Sequence, residues 1–144
     1  MAYTTNWLVD RRVLLIRLYN EVSLEEVAQL GTLATVLVDE PTHPFHKIVD
    51  TRLVADFPTD IKALLNILNH DKLPHEGKTI VWTTNRLLLI VVLSLRRLAK
   101  TLESRLLVMS HPIAIRQYLA SLDPTLAQLP PFEDFTNPTF PPHP

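Results

Sequence analysis

The chain has 144 residues, 47% of them hydrophobic and 20% charged, with a formal net charge of −1. That length and composition suit one globular domain, able to bury about 68–70% of its unfolded surface. The charge balance excludes general phosphate-backbone binding, and the absence of cysteine excludes disulfides, thiol catalysis and cysteine metal sites. With only two glycines, Gly31 and Gly77, there is no glycine-rich phosphate loop. The first residues lack the basic and apolar regions of a signal peptide. The longest apolar run, residues 87–93, falls far short of the roughly 20 residues that span a bilayer. The expectation is a cytoplasmic protein with no cofactor and no nucleic-acid partner.

Residues 7–10 read as a short first strand, and Arg11-Arg12 as a tight turn. Residues 13–19 (VLLIRLY) form the next strand, with Leu14, Ile16 and Leu18 on a uniformly apolar face. Ser23 with Glu26 three positions later is a capping box, and the helix it opens carries Leu24, Val27, Ala28 and Gly31 at helical spacing. Pro41 and Pro44 stop that helix. Residues 46–50 (HKIVD) are a strand. Pro58 or Thr59 opens a second helix with the stripe Ile61, Leu64, Leu65 and Leu68. Residues 79–84 alternate polar and apolar as a strand, and Asn85 then caps a helix over 86–100 that is apolar nearly all round. Residues 105–109 (RLLVM) are the last strand. Ser110 caps a final helix, with Pro112 in its first turn and Asp123-Pro124 at its end.

From Pro124 on, proline and phenylalanine dominate. The spacing predicts one domain over 1–124 and a proline-rich tail over 125–144, with Phe132 and Phe135 packed against a surface. Strand and helix alternate after the first hairpin, so the fold class is α/β with a mixed, mainly parallel five-stranded sheet. Arg17, Lys47 and Arg105 share one parity along their strands. On that pattern the helices lie mostly on one face and the other face stays partly open.

The order of several local features resembles the SpoIIAA-like family, which shares its fold with STAS domains. A tryptophan opens the first strand, VLLIRL forms the second, and Ser-Leu-Glu-Glu precedes the first helix. IVDTR with a following Phe-Pro precedes the second helix; a strand ending in a polar pair and asparagine leads into an apolar helix with an arginine tail. The resemblance runs from about Tyr3 to Pro124 and implies a β-α superhelix. Sporulation-type members are anti-sigma-factor antagonists with an Asp-Ser-Ser-Gly-type motif at the second helix, where this chain reads Ala55-Asp56-Phe57-Pro58-Thr59-Asp60. Thr59 is the one hydroxyl near the place, and it suits a helix cap better than a phosphorylation site. The family is also related in shape to CRAL-TRIO lipid-binding domains, which implies capture of an apolar ligand or membrane association.

Two surfaces follow as candidates. The apolar third helix offers Leu88, Leu89 and Val92, with Arg96 and Arg97 placed to reach lipid headgroups. The alternative for this helix is core packing or a homodimer surface. The carboxyl ends of the strands bring Asp50, Arg52, Thr83, Asn85, Arg86 and His111 to one edge, where α/β sheets bind ligands. Ordinary capping accounts for the same residues. The six histidines lack the setting of a metal site, and no catalytic motif is present. The reading is a non-enzymatic binding module for an apolar or lipid-like ligand or a membrane surface. The alternative is a STAS-type protein–protein interaction module without the phosphoserine motif.

Overall fold

The computed structural model describes residues 2–37, 45–69 and 76–132. Five strands form one sheet in the order β1-β2-β3-β4-β5. β1 (Ala2–Val9) runs antiparallel to β2 (Val13–Glu21), and β3 (Phe45–Asp56), β4 (Glu76–Trp82) and β5 (Leu106–Met109) continue parallel to β2. The connections carry α1 (Leu24–Leu37), α2 (Ile61–Asn69), and the pair α3 (Arg86–Leu98) and α4 (Lys100–Glu103). Strand order increases steadily in one direction, so crossovers of one hand put every connecting helix on the same face. Val27, Leu64, Val91, Val92, Leu95 and Leu102 pack there.

The opposite face is not open. It is covered by α5 (Pro112–Leu122), a 3-10 turn (Pro124–Leu126) and the extended chain that follows. Ile115, Leu119, Leu126, Leu129 and Phe132 lie buried on Leu15, Ile48, Ile80 and Trp82. The parity argument failed because of register. Arg17 pairs with Asp50, Asp50 with Trp82 and Trp82 with Met109, so this row points toward α5. Lys47 instead pairs with Leu14 and Thr79, in the row facing α1–α4. Arg105 precedes β5. Arg17 and Lys47 are thus buried on opposite faces, and neither marks a solvated one.

The segment after Pro124 is therefore part of the core as far as Phe132, while Phe135 lies outside the described residues. Arg116 donates to the Leu129 carbonyl at 2.9 Å, Arg17 donates to the Phe132 carbonyl, and Arg12 pairs with Asp123. The Phe132 ring meets Trp82 edge-on at 5.5 Å.

Several local readings hold, and others shift for visible reasons. Ser23 and Glu26 form the reciprocal capping box at 3.1 and 3.2 Å. α2 is capped by Asp60, whose carboxylate accepts from the Ala63 amide at 3.1 Å, so Thr59 is not the cap. His111, not Ser110, occupies the N-cap position of α5. α3 stops at Leu98 because Ala99 is extended, and α4 restarts at Lys100 to bury Leu102. Gly77 lies so close to β3 that a Cβ there would sit 2.4 Å from His46 Nδ1 and 2.6 Å from the Phe45 carbonyl oxygen. Only glycine fits that approach.

Candidate functional site

α3 has two different apolar faces. Its start is fixed by Asn85, whose side-chain oxygen accepts from the Leu87 and Leu88 amides at 2.9 and 3.3 Å. Val91, Val92 and Leu95 are buried against the sheet and α2, with Leu88 half-buried beside them. The outward face carries Leu87, Ile90 and Leu93, which are 53%, 58% and 44% exposed. Arg86, Ile90, Leu93 and Arg97 recur at helical spacing, so one outer stripe holds aliphatic side chains between two exposed arginines. Sequence reasoning missed Leu87, Ile90 and Leu93. The arginines on their stripe were the signal that could have found them. Of the residues named in advance, Leu88 and Val92 point inward, Leu89 and Arg97 are exposed, and Arg96 is half-buried with its guanidinium on the Glu103 carbonyl at 3.1 Å.

Beneath the inner face of α3 lies a cavity of about 190 Å³, between the sheet and α1–α4. Its wall is mainly aliphatic, including Ile16, Val49, Val81, Leu88 and Val92. Lys47, Thr79 and Arg105 line it toward the amino-terminal ends of the strands, and Thr51 lines it on β3.

The strand-edge residues divide into two groups. Asp50 is buried below the α5 side of the sheet. It accepts from Arg17 Nε at 3.2 Å and from Arg52 Nε and Nη2 at 3.0 and 2.9 Å. The Arg52 guanidinium lies 3.5 Å from the centroid of Trp82, one face of which it covers. The indole Nε1 of Trp82 is buried without a hydrogen-bond partner among the described residues. Thr83, Asn85, Arg86 and His111 instead border a separate cleft of about 450 Å³ between the starts of α3 and α5, together with Leu89 and Ser110. There the Thr83 hydroxyl accepts from the Asn85 amide at 3.0 Å, while Arg86 and His111 are exposed.

Among the described residues no three side chains of histidine or carboxylate type converge as metal ligands. His46 is buried, and its Nδ1 accepts from the Lys78 amide at 2.9 Å. Burial holds its pKa below the ordinary value of 6.5, and the nearby Arg12 and Lys78 charges add to that effect. His43, His70, His75 and His143 lie outside the described residues. Thr59 is exposed before α2. No helix among the described residues is long and apolar enough to cross a membrane.

No protein-family model matches the chain, and no curated protein matches it. Among solved structures it resembles an uncharacterized DUF3478-family protein with a SpoIIAA-like fold from Shewanella loihica PV-4. The TM-score is 0.54 at 11% identity, over 81% of this chain and 91% of that one. The chain has a SpoIIAA-like fold. A second likeness is to the anti-sigma factor antagonist SpoIIAA in its unphosphorylated form, with a TM-score of 0.46 at 13% identity over 81% and 97% of the two chains. In the SpoIIAA-like frame of this chain, α3 is the helix between β4 and the last strand, and its outward stripe is uncovered by any described element.

Proposed function

We propose that the chain is a non-enzymatic regulatory module of STAS type that binds another protein through the outer face of α3. The observation that carries this is the exposed aliphatic stripe of Leu87, Ile90 and Leu93 on a helix whose other face is anchored in the core. Exposed apolar side chains are ordinary singly, but a contiguous row on a rigid helix marks a contact surface. Arg86 and Arg97 bracket the row, and no carboxylate occurs from Asn85 to Leu102. The partner this fits is an amphipathic segment with aliphatic anchors and acidic flanks.

A second copy fits less well. A two-fold antiparallel contact through α3 would set Arg86 opposite the other copy's Arg97, and like charges opposed across an interface are unfavourable. A membrane is the competing partner, since interfacial helices also combine leucine with arginine, and the vesicle arm of the test below separates the two. Asp50 is held by two arginines, which suits a structural role and not a general base.

The test places a photo-crosslinking amino acid at position 90 in living cells, and at Lys62 on α2 as a control. A discrete heterologous adduct formed at 90 and not at 62 supports the reading, provided the purified partner then binds the wild-type chain. An adduct that is the chain itself, or flotation with vesicles of anionic phospholipid that Ile90→Asp abolishes, overturns it.

A further inference from the structure

We infer that the chain forms a dimer through the outer edge of β1, two copies of that strand pairing antiparallel so that the two five-stranded sheets become one. The described sheet has two edges, and they differ. β5 is four residues long and follows directly on Arg105, and both shortness and charge blunt an edge. β1 has eight residues, AYTTNWLV, with no charge and no proline. Its pairing with β2 is regular from Ala2 to Trp7, and the one register shift falls between Trp7 and Val9. The regular part therefore carries no charge, proline or bulge to protect it. Among the described elements β2 is its only strand neighbour. Such an edge presents a row of backbone N–H and C=O groups that another strand takes up.

The strand is complementary to itself. A two-fold axis normal to the sheet keeps the α1–α4 side of one copy continuous with the same side of the other, so residues of like parity face each other. With Thr5 on the axis, Thr5 meets the partner's Thr5 and Tyr3 meets the partner's Trp7. Threonine pairs and aromatic pairs are both favourable across strands. Tyr3, Thr5 and Trp7 stand on the α1–α4 side, opposite Leu18, Ile16 and Leu14 of β2, and all three are half-buried. A second strand covers more of each. No charges meet, whereas a two-fold contact through α3 would oppose Arg86 and Arg97. An extended segment of another protein can use the same backbone groups. The two-fold arrangement favours the copy, because it matches side chains as well as backbone. A contact of this length is small, so the dimer is weak and concentration-dependent. α3 joins β4 to β5 at the other end of the strand order, so the dimer leaves both outer stripes uncovered and makes the module bivalent.

Sedimentation equilibrium of the full chain, from about 10 μM to about 1 mM, spans the range of a weak contact and should show a reversible dimer. Thr5→Lys sets like charges face to face on the axis and should leave a monomer over the whole range. The chain has no cysteine, so single introduced cysteines report the register. Thr5→Cys should form a disulfide-linked dimer under mild oxidation, because Cβ atoms paired across strands lie about 4.5–5.5 Å apart, near the reach of a disulfide. Lys62→Cys on α2 and Ile90→Cys on α3 should not. Thr5→Cys nearly preserves the side chain's size and carries the test if Thr5→Lys does not fold. Ile90→Asp, on the outer stripe, should dimerise as wild type does, so failure here is separable from failure of the partner surface. A wild-type chain that stays monomeric at about 1 mM overturns the inference. A dimer that persists in folded Thr5→Lys, or that crosslinks through Ile90→Cys and not through Thr5→Cys, overturns it too.

Discussion

Asp50 joins two strands and two arginines, and Asp50→Asn isolates its charge without changing its shape. The carboxylate accepts from Arg17 Nε at 3.2 Å, from the Arg52 amide at 3.1 Å and from the Arg52 guanidinium at 3.0 and 2.9 Å. Asp50 and Arg17 are each 2% exposed, so water cannot replace the lost partner. Breaking a buried ion pair from one side costs about 3–5 kcal/mol, mostly because the remaining charge stays uncompensated. For a chain near this size each kcal/mol moves the melting temperature by about 2–4 °C, so Asp50→Asn should melt about 6–20 °C lower. Denaturant unfolding followed by tryptophan fluorescence in a Trp7→Phe background, where Trp82 is the one emitter, reads the loss directly, since Arg52 rests on that ring. The double substitution Asp50→Leu with Arg17→Met should recover only the part due to Arg17, because Arg52 keeps its charge and the Phe132 carbonyl loses its donor. A loss below about 1 kcal/mol in Asp50→Asn would refute the reasoning, placing the pair in an environment far wetter than its burial implies.

Three further substitutions address other parts of the account. Phe132→Ala removes the ring that closes the α5 face and should cost about 3–5 kcal/mol, with a shift in Trp82 emission read in the Trp7→Phe background. A near-neutral result would mean that the segment after Pro124 adds nothing to the core. Gly77→Ala forces a Cβ to within 2.4 Å of His46 and 2.6 Å of the Phe45 carbonyl, so β4 must shift; thermal melting should show a clear loss, and a wild-type melt would contradict that contact. Burial, with the Arg12 and Lys78 charges, outweighs the attraction of Asp123 and makes His46 harder to protonate in the fold than in the unfolded chain. The unfolded chain therefore binds the proton more readily, and stability should decline as pH falls below 6.5 toward the lower folded value. Melting curves between pH 7.5 and 5.5, about the range where a histidine titrates, should show this decline in wild type and less of it in His46→Gln. An equal decline in both assigns it to other groups.

Much of the fold was legible in local chemistry. The capping box at Ser23, the Asn85 cap and the alternation of strand and helix each depend on a few neighbouring residues, and each reappears in the structure. Register was not legible. Arg17 and Lys47 share a parity in sequence, but pairing of Arg17 with Asp50 puts them on opposite faces, and only strand-to-strand contact determines that. The same gap hid the role of residues 124–132, because a proline-rich stretch gives no periodicity to declare which face it covers. On α3 the run from Leu87 to Leu93 announced an apolar helix, but an all-round apolar pattern does not say which side meets the sheet. The choice of Leu88, Leu89 and Val92 therefore mixed two core residues with an exposed one. Lys47 read as a solvated strand residue because charge alone does not reveal a cavity beside it.

The most direct measurement on the central claim is a binding titration of the partner crosslinked at position 90, against wild type and against Ile90→Asp with Leu93→Asp. Both side chains are largely exposed, so the double variant should melt close to wild type. The account predicts that its affinity falls at least about 10-fold, the loss expected when aliphatic anchors at a helix contact are replaced by charge. Unchanged affinity in the folded double variant would contradict it, and the outer stripe of α3 would then not be the surface through which this chain acts.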